Sequence, residues 1–325
     1  MKKTLIALAA VASLATSGAA FAQATISGFM AYGYVGTAVG KNATTAASTS
    51  GGLGLDTAEM YITAKEDLGG GMTAGGTMGF GGMGRGEGFY GTNYTMYVQN
   101  AMGKLTLGAV KSGDYVSSGL ASSGVNYYDF GDRGNFGARA SRDIMSFDTK
   151  VGPIALTLSH QEAGGQTGWG TGGEGSTGQR INIISGTYAE GALKVNSMYF
   201  TYDNQGTGNT TASNVFRLSG NYNLGVATIG AGLQKVTYDA SATATNTGFS
   251  VAVPMGAVTL GAMVGSRVTE GFSSAAKNGT QNDSSLNVSY ALSKRTGVTG
   301  QYSSWDNGVG GEKSSNTLLL LTHSF

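Results

Sequence analysis

The chain has 325 residues, and only 12% of them are Asp, Glu, Lys or Arg, about half the usual charged fraction of a soluble globular domain. It contains 56 glycines, two prolines and no cysteine, which excludes a disulfide framework and a thiolate metal site. The net charge of +1 gives no strong field for nucleic acid. Beyond the first twenty positions, no apolar run approaches the ~20 residues of a membrane helix, so a β-rich chain with unusual solvation remains.

The first residues predict an export signal. Lys2 and Lys3 form a basic region, residues 5–15 are apolar, and Ala20-Phe21-Ala22 fits a cleavage site. We expect residues 1–22 to be removed, so that the mature chain is a single domain covering residues 23–325. Its net charge then becomes −1, because 18 basic residues remain against 19 acidic ones.

From Ala24 onward, short segments alternate apolar and polar residues with a period of two, as half-buried β-strands do. In residues 214–222, for example, Phe216 and Leu218 share one face while Arg217 lies on the other. Parity does not say which face meets water, but the number and length of the segments favour lipid outside and water inside. The ninth segment, which mixes Lys194, Met198 and Phe200, has no clear assignment of faces.

Sixteen such segments are joined by connections that alternate in length. Seven short ones with turn chemistry cover residues 67–71, 100–103, 151–153, 189–191, 222–225, 253–256 and 293–295. Eight long ones cover residues 39–51, 81–89, 111–141, 161–180, 203–213, 239–247, 268–283 and 305–315. This layout predicts an all-β fold, a sixteen-stranded antiparallel transmembrane barrel with short periplasmic turns and long external loops. Closure leaves no free strand edge in the hydrocarbon.

The C-terminal segment supports the barrel. Residues 318–325 form an apolar last strand that ends in Phe325, and a terminal Phe is unusual in a fraying soluble tail. We expect Phe325 to act as the C-terminal membrane-insertion aromatic. An aromatic girdle at the headgroup level is predicted from tyrosines near strand ends, namely Tyr32, Tyr34, Tyr222, Tyr290 and Tyr302.

Four segments, in this order along the chain, resemble the general porins of Gram-negative bacteria, especially the trimeric sixteen-stranded β-proteobacterial porins. They are Glu66-Asp67-Leu68-Gly69-Gly70-Gly71, Gly103-Lys104-Leu105-Thr106-Leu107-Gly108, Tyr290-Ala291-Leu292-Ser293-Lys294-Arg295-Thr296 and Thr322-His323-Ser324-Phe325. The resemblance implies an outer-membrane homotrimer, in contact with lipid, whose water-filled channels pass small hydrophilic solutes and ions by passive diffusion. It also implies a third external loop that folds inward and narrows the lumen.

Residues 111–141 are the longest connection, and long loops are usually functional. We expect this segment to pack against the inner wall through its aromatic rings, with carboxylates projecting into the narrowest part of the channel. The alternative is a mobile surface loop. The predicted constriction residues are Asp114, Tyr115, Tyr127, Tyr128, Asp129, Asp132 and Arg133.

The facing wall departs from the family pattern, which places cations there. Phe29, Glu59, Ala109 and Thr322 occupy positions that are basic in relatives. Lys111 has the same parity as Ala109, so we expect it to lie on the wall and to replace the missing basic residue there. The other basic wall candidates are Arg139, Arg142 and Arg217. Because positive and negative charges are nearly balanced, we predict weak selectivity that leans to cations.

Other function classes have weaker support. Ser159 and His160 would lie on opposite faces of a strand, so they cannot form a catalytic triad with Asp148. His323 is expected at the periplasmic rim or at a subunit interface, and Gly79-Phe80-Gly81-Gly82-Met83-Gly84 fits a dinucleotide motif without the helix it requires. We therefore expect no enzyme, no metal site and no cofactor. A substrate-specific outer-membrane channel and a secreted β-solenoid adhesin remain as alternatives.

Overall fold

The computed structural model describes residues 23–82, 88, 90–112, 140–162, 180–203, 212–238 and 241–325. Within these ranges the chain forms sixteen strands and a short 3-10 helix, Ala275–Lys277. The strands are β1 Gln23–Val39, β2 Ser48–Gly69, β3 Met72–Gly81, β4 Tyr90–Asn100, β5 Gly103–Ser112, β6 Ala140–Val151, β7 Ile154–Glu162, β8 Arg180–Glu190, β9 Leu193–Asp203, β10 Ala212–Asn223, β11 Thr228–Tyr238, β12 Thr243–Met255, β13 Val258–Glu270, β14 Gly279–Ala291, β15 Thr296–Asp306 and β16 Lys313–Ser324. No helix among the described residues has the length and apolar character needed to span a membrane.

Every strand pairs with its neighbours in sequence, and β1 pairs antiparallel with β16, so the sheet closes into a barrel. The predicted sixteen-stranded antiparallel barrel is confirmed. Both ends of the folded chain lie on the side of the short turns, because the barrel begins with β1 and ends with β16 and has an even number of strands. A fixed spacing of repeats, which a β-solenoid would need, is absent from these strands.

All seven predicted short turns separate consecutive strands. Several require a left-handed glycine, such as Gly152 at φ 60° and Gly256 at φ 64°. At the other end, some strands continue into segments predicted as loops: β2 already begins at Ser48, and β13 runs to Glu270. Hairpins can extend beyond the apolar band, because polar strand residues there still pair while facing water.

The outward face of the barrel is apolar. Outward side chains with large exposed fractions include Met96 at 70%, Phe249 at 62% and Leu319 at 55%. The five girdle tyrosines are also outward and 44–50% exposed. In β9, Tyr199 is 42% exposed and pairs with outward Ile184 and Phe216, which places Lys194, Met198 and Phe200 on the inward face. The predicted inverted arrangement, apolar outside and polar inside, is therefore present along the described strands.

The seam between β1 and β16 is tightly packed. The backbones of Gly28 and Phe325 exchange two hydrogen bonds of 3.0 and 3.1 Å, and the Phe325 ring stacks on His323 with centroids 6.4 Å apart. A Cβ added to Gly28 would lie 2.3 Å from the Phe325 ring. The absence of a side chain at Gly28 therefore makes room for the terminal aromatic residue.

Candidate functional site: the inner wall of the barrel

The inward face is divided into two halves that differ in exposure. On β2–β9, most inward residues are half-exposed; examples are Glu59, Thr95 and Ser146. On β10–β16 and β1, many inward residues are less than 9% exposed. This set comprises Ala31, Val215, Arg217, Gln234, Val236, Ala244, Asn246, Ser250, Ala252, Met263, Thr269, Ser285, Asn287, Thr299, Gln301, Ser303, Ser314, Asn316, Leu318 and Leu320. Water in the lumen therefore meets the wall mainly on β2–β9, which we call the accessible half, in contrast to the buried half.

The buried half contains hydrogen bonds between polar side chains, both within a strand and between strands. Arg217 donates through Nε to Gln234 Oε1 at 2.6 Å, and Arg267 donates to the Tyr238 hydroxyl at 3.2 Å. Further round the barrel, Gln301 donates to Ser303 at 2.9 Å, and Ser303 donates to Ser285 at 3.3 Å. Buried polar groups require such partners. These contacts keep the inward side chains of the buried half in fixed positions.

An apolar cluster interrupts this polar surface at the seam. Ala31, Leu318 and Leu320 are at most 1% exposed, and Phe29 and Val35 pack against them. Apolar surface on the water side of a pore wall is unfavourable unless it is covered. The seam is therefore apolar on both of its faces, and its inward face is shielded from water.

The accessible half carries hydroxyl groups along its middle and charged residues near the short turns. Tyr61 donates to the Glu59 carboxylate at 2.5 Å, and the hydroxyls of Thr63 and Thr77 lie 3.1 Å apart. Glu59 lies midway along β2, far from both ends of the strand. Near the short turns, Lys104 Nζ is 3.8 Å from a carboxylate oxygen of Asp148. Hydroxyl groups on such a surface exchange hydrogen bonds readily with water.

The predicted wall residues have different outcomes. Phe29, Glu59, Arg142 and Arg217 all face inward, as their strand partners require. Arg142 is half-exposed, whereas Arg217 is only 3% exposed and therefore belongs to the buried half. The parity assigned to Ala109 is wrong. It pairs with Tyr94, which is outward and 56% exposed, and it shares its face with Leu105 and Leu107.

Because Ala109 faces outward, its parity no longer supports a position of Lys111 on the wall. Lys111 pairs with Ser141 at the external end of β5, and its side chain is outside the described part of the chain. Arg139 is also outside it, as is the predicted constriction loop with Asp114, Tyr115, Tyr127, Tyr128, Asp129, Asp132 and Arg133.

A row of hydrogen-bond donors on the buried half was not predicted from the sequence. Register pairs Arg217 with Gln234, Gln234 with Asn246, and Asn246 with Arg267, so these four side chains lie side by side on β10–β13. Alternation in β12 and β13 could have placed Asn246 and Arg267 on the inward face. Their alignment into one row depends on the stagger between strands, which cannot be predicted from the alternation within each strand.

The two histidines lie on the outward face. His160 contacts Asn182 Oδ1 at 2.7 Å through Nδ1 and Glu162 at 3.2 Å through Nε2, at the external end of β7. Ser159 faces inward and pairs with Ser146, so the two residues of the rejected triad are on opposite faces as predicted. His323 lies at the short-turn end, 2.9 Å from the Thr296 hydroxyl.

Comparison with known proteins identifies the class to which this barrel belongs. The family of Gram-negative porins matches residues 7–309. No curated protein sequence matches the chain.

Solved structures share the fold at low sequence identity. The anion-selective porin from Comamonas acidovorans aligns with a TM-score of 0.68 and 18% identity, covering 94% of this chain and 100% of that one. The trimer form of OmpT, an outer membrane protein of Vibrio cholerae, gives 0.66 and 13% identity, with 93% and 99% covered. A triple mutant of the Rhodopseudomonas blastica porin gives 0.62 and 13% identity, with 93% and 100% covered.

The chain belongs to the Gram-negative porin family. It is a multi-pass barrel of the outer membrane and forms a channel for passive diffusion. The general-porin resemblance of the four sequence segments is confirmed.

Proposed function

We propose that the channel is a weakly selective pore for small hydrophilic solutes and ions, which move along the accessible half of the lumen. The observation that supports this most directly is the exposed, hydroxyl-rich inward face of β2–β9, opposite a buried face on the other strands. Hydroxyl groups along the middle of this wall exchange hydrogen bonds with water and with polar solutes at little cost.

We infer that residues 111–141 include the constriction loop and that this loop covers the buried half. The described strands β5 and β6 end at Ser112 and Ala140, and the segment between them carries five aromatic residues and three aspartates. The buried half offers complementary chemistry: an apolar cluster around Leu320 for the rings and the row containing Arg217 and Arg267 for carboxylates. Arg133 is then the one basic residue proposed within the constriction.

Thiol labelling tests this coverage, since the chain has no cysteine of its own. In a Ser303→Cys variant, the thiol should react slowly with a small water-soluble reagent that enters the lumen, because Ser303 is only 2% exposed. Deleting residues 118–134 should accelerate labelling by at least about tenfold, because a locally closed thiol reacts only when it opens. A Thr95→Cys control on the accessible half should react quickly in both backgrounds. Equal protection of Ser303→Cys after the deletion would show that another segment covers the wall.

In the middle of the channel the weak selectivity is proposed to lean to cations, because Glu59 is a carboxylate midway along the accessible half while Arg142 lies near the external end of β6. In a Glu59→Lys variant, the preference should reverse. At ~8 Å in water a unit charge contributes about 0.5 kcal/mol, so a change of two charges alters local ion occupancy about fivefold. Reversal potentials in a salt gradient measure this, with Glu59→Gln expected midway. A strong anion preference of the unmodified channel contradicts the proposal.

We also propose that residues 1–22 are a cleaved export signal and that the protein is a homotrimer. The first proposal is supported by the sequence alone, in which the basic Lys2 and Lys3 precede an apolar stretch and the Ala20-Phe21-Ala22 cleavage pattern. The second is supported by the family resemblance and by the trimer form of the similar Vibrio cholerae protein. Native mass spectrometry of unheated protein measures the protomer mass and the number of subunits together.

A further inference from the structure

Four lysines face into the barrel close to its periplasmic, short-turn end. Lys104, Lys150 and Lys194 each lie one residue from a strand end, and Lys65 lies four residues before the end of β2. Their inward orientation follows from register: Lys104 is opposite Asp148, Lys150 is opposite Ala155, and Lys65 shares its face with Glu59. Lys65, Lys150 and Lys194 are exposed. These four residues are here called the mouth lysines.

The acidic residues at this end balance only half of the mouth lysines. Asp148 is paired with Lys104 at 3.8 Å, and Asp67 is the other inward carboxylate near the short turns. On β1 and β10–β16, the described inward positions at the same end are uncharged, as Asn221, Ser289 and Thr322 illustrate. The periplasmic mouth therefore carries an inward net charge of +2.

The mouth lysines are all on β2, β5, β6 and β9, which are strands of the accessible half. Ions that follow the water-exposed wall pass them directly. At low salt, the field of a charged mouth reaches across the opening, because the Debye length is ~30 Å at about 10 mM salt and only ~3 Å at about 1 M. A narrow opening lined by one sign of charge concentrates counter-ions.

We propose that the periplasmic mouth collects small anions and makes the channel conduct asymmetrically. The inference rests on the channel function proposed above and adds that the current depends on the sign of the voltage. Anions driven outward from the mouth into the weakly selective middle arrive faster than the middle carries them away, so ions accumulate there and current rises. When the voltage is reversed, anions move from the middle into the mouth while cations move from the middle to the external side. The mouth holds few cations to replace them, so the middle is depleted of ions and the current falls.

The larger current is therefore expected when the external side is positive. At about 10 mM salt the ratio of currents at equal and opposite voltages should be about two, and at about 1 M it should approach one as the mouth charge is screened. Inorganic tripolyphosphate, a multivalent anion, should reduce the current when added on the periplasmic side and have a smaller effect from the external side.

Single-channel recording in planar bilayers tests this on the full mature chain. A cysteine introduced by Ser274→Cys, in the external connection after β13, reports the orientation of each channel through an impermeant thiol reagent. The test variant combines Lys65→Gln, Lys150→Gln and Lys194→Gln. Its matched control replaces the same three lysines by arginine, which preserves the charge and most of the length of each side chain.

In the glutamine variant the inward net charge of the mouth falls from +2 to −1, so the variant should lose the larger current at positive external voltage and the sided effect of tripolyphosphate. The arginine control should retain both properties of the unmodified channel. Symmetric currents in the unmodified protein at low salt, or the same asymmetry in the glutamine variant, would overturn the inference and leave the channel function intact. Folded protein without any conductance would contradict the channel function itself and the inference with it.

Discussion

A Gly33→Ala substitution is expected to prevent the barrel from closing stably. A Cβ at this position would lie 1.9 Å from the Leu319 carbonyl oxygen and 2.9 Å from the Leu320 Cα, both backbone atoms of β16. Because the seam is a hydrogen-bonded ladder, neither strand can move away without losing its pairing. We expect the free energy of unfolding to fall by about 3 kcal/mol. The change is measured by urea titration in detergent micelles. The fraction of folded barrel at each urea concentration is determined from its heat-dependent mobility on gels.

Gly54→Ala is the matched control for this substitution. Gly54 lies in β2 directly opposite Gly33, and a Cβ added there meets no atom within 4 Å. Its stability should stay within about 1 kcal/mol of the unmodified barrel, since alanine also restricts the unfolded chain. If the two variants unfold at the same urea concentration, the close approach of β1 to β16 is not what limits stability at the seam.

Local alternation determines much of this fold, which is why it was predictable. Each strand has a period of two, and turn chemistry around residues such as Gly152 and Gly256 marks every short connection. The face of a residue follows from its neighbours, as for Phe216 and Arg217 in β10. The exceptions are strands whose inward face also carries apolar groups. In β9, Met198 and Phe200 point inward beside Lys194, so polarity does not distinguish the two faces.

The site was harder to predict, because it depends on relations between distant strands. Parity in β10 predicts that Arg217 points inward, but nothing in its neighbourhood indicates that it is almost fully buried. That burial extends over a whole half of the wall, which residues from strands distant in sequence form together. The outward face of Ala109 is hard to predict for a related reason: Gly108 on the inward face carries no polar side chain, and only the alternation of Leu105 and Leu107 indicates that Ala109 faces outward.

Met96→Lys tests the inverted arrangement itself and should destabilise the barrel strongly. Met96 lies in the middle of β4, its side chain is outward and 70% exposed, and its strand partners are Gly76 and Leu107. A lysine there would place its charge in the hydrocarbon, which costs about 2–4 kcal/mol near the bilayer midplane. Equilibrium unfolding from phospholipid vesicles measures this free energy directly.

The neighbouring residue provides the control, because Thr95 lies in the same strand and faces the lumen. It is half-exposed between Thr77 and Gly108, on the accessible half. Thr95→Lys should therefore change the unfolding free energy by less than about 1 kcal/mol, since its ammonium group can remain in water. The two variants add the same charge to adjacent residues and differ only in the face that receives it. A greater loss of stability for Thr95→Lys than for Met96→Lys would mean that β4 presents its apolar face to the lumen, and the assignment of the accessible half would fail with it.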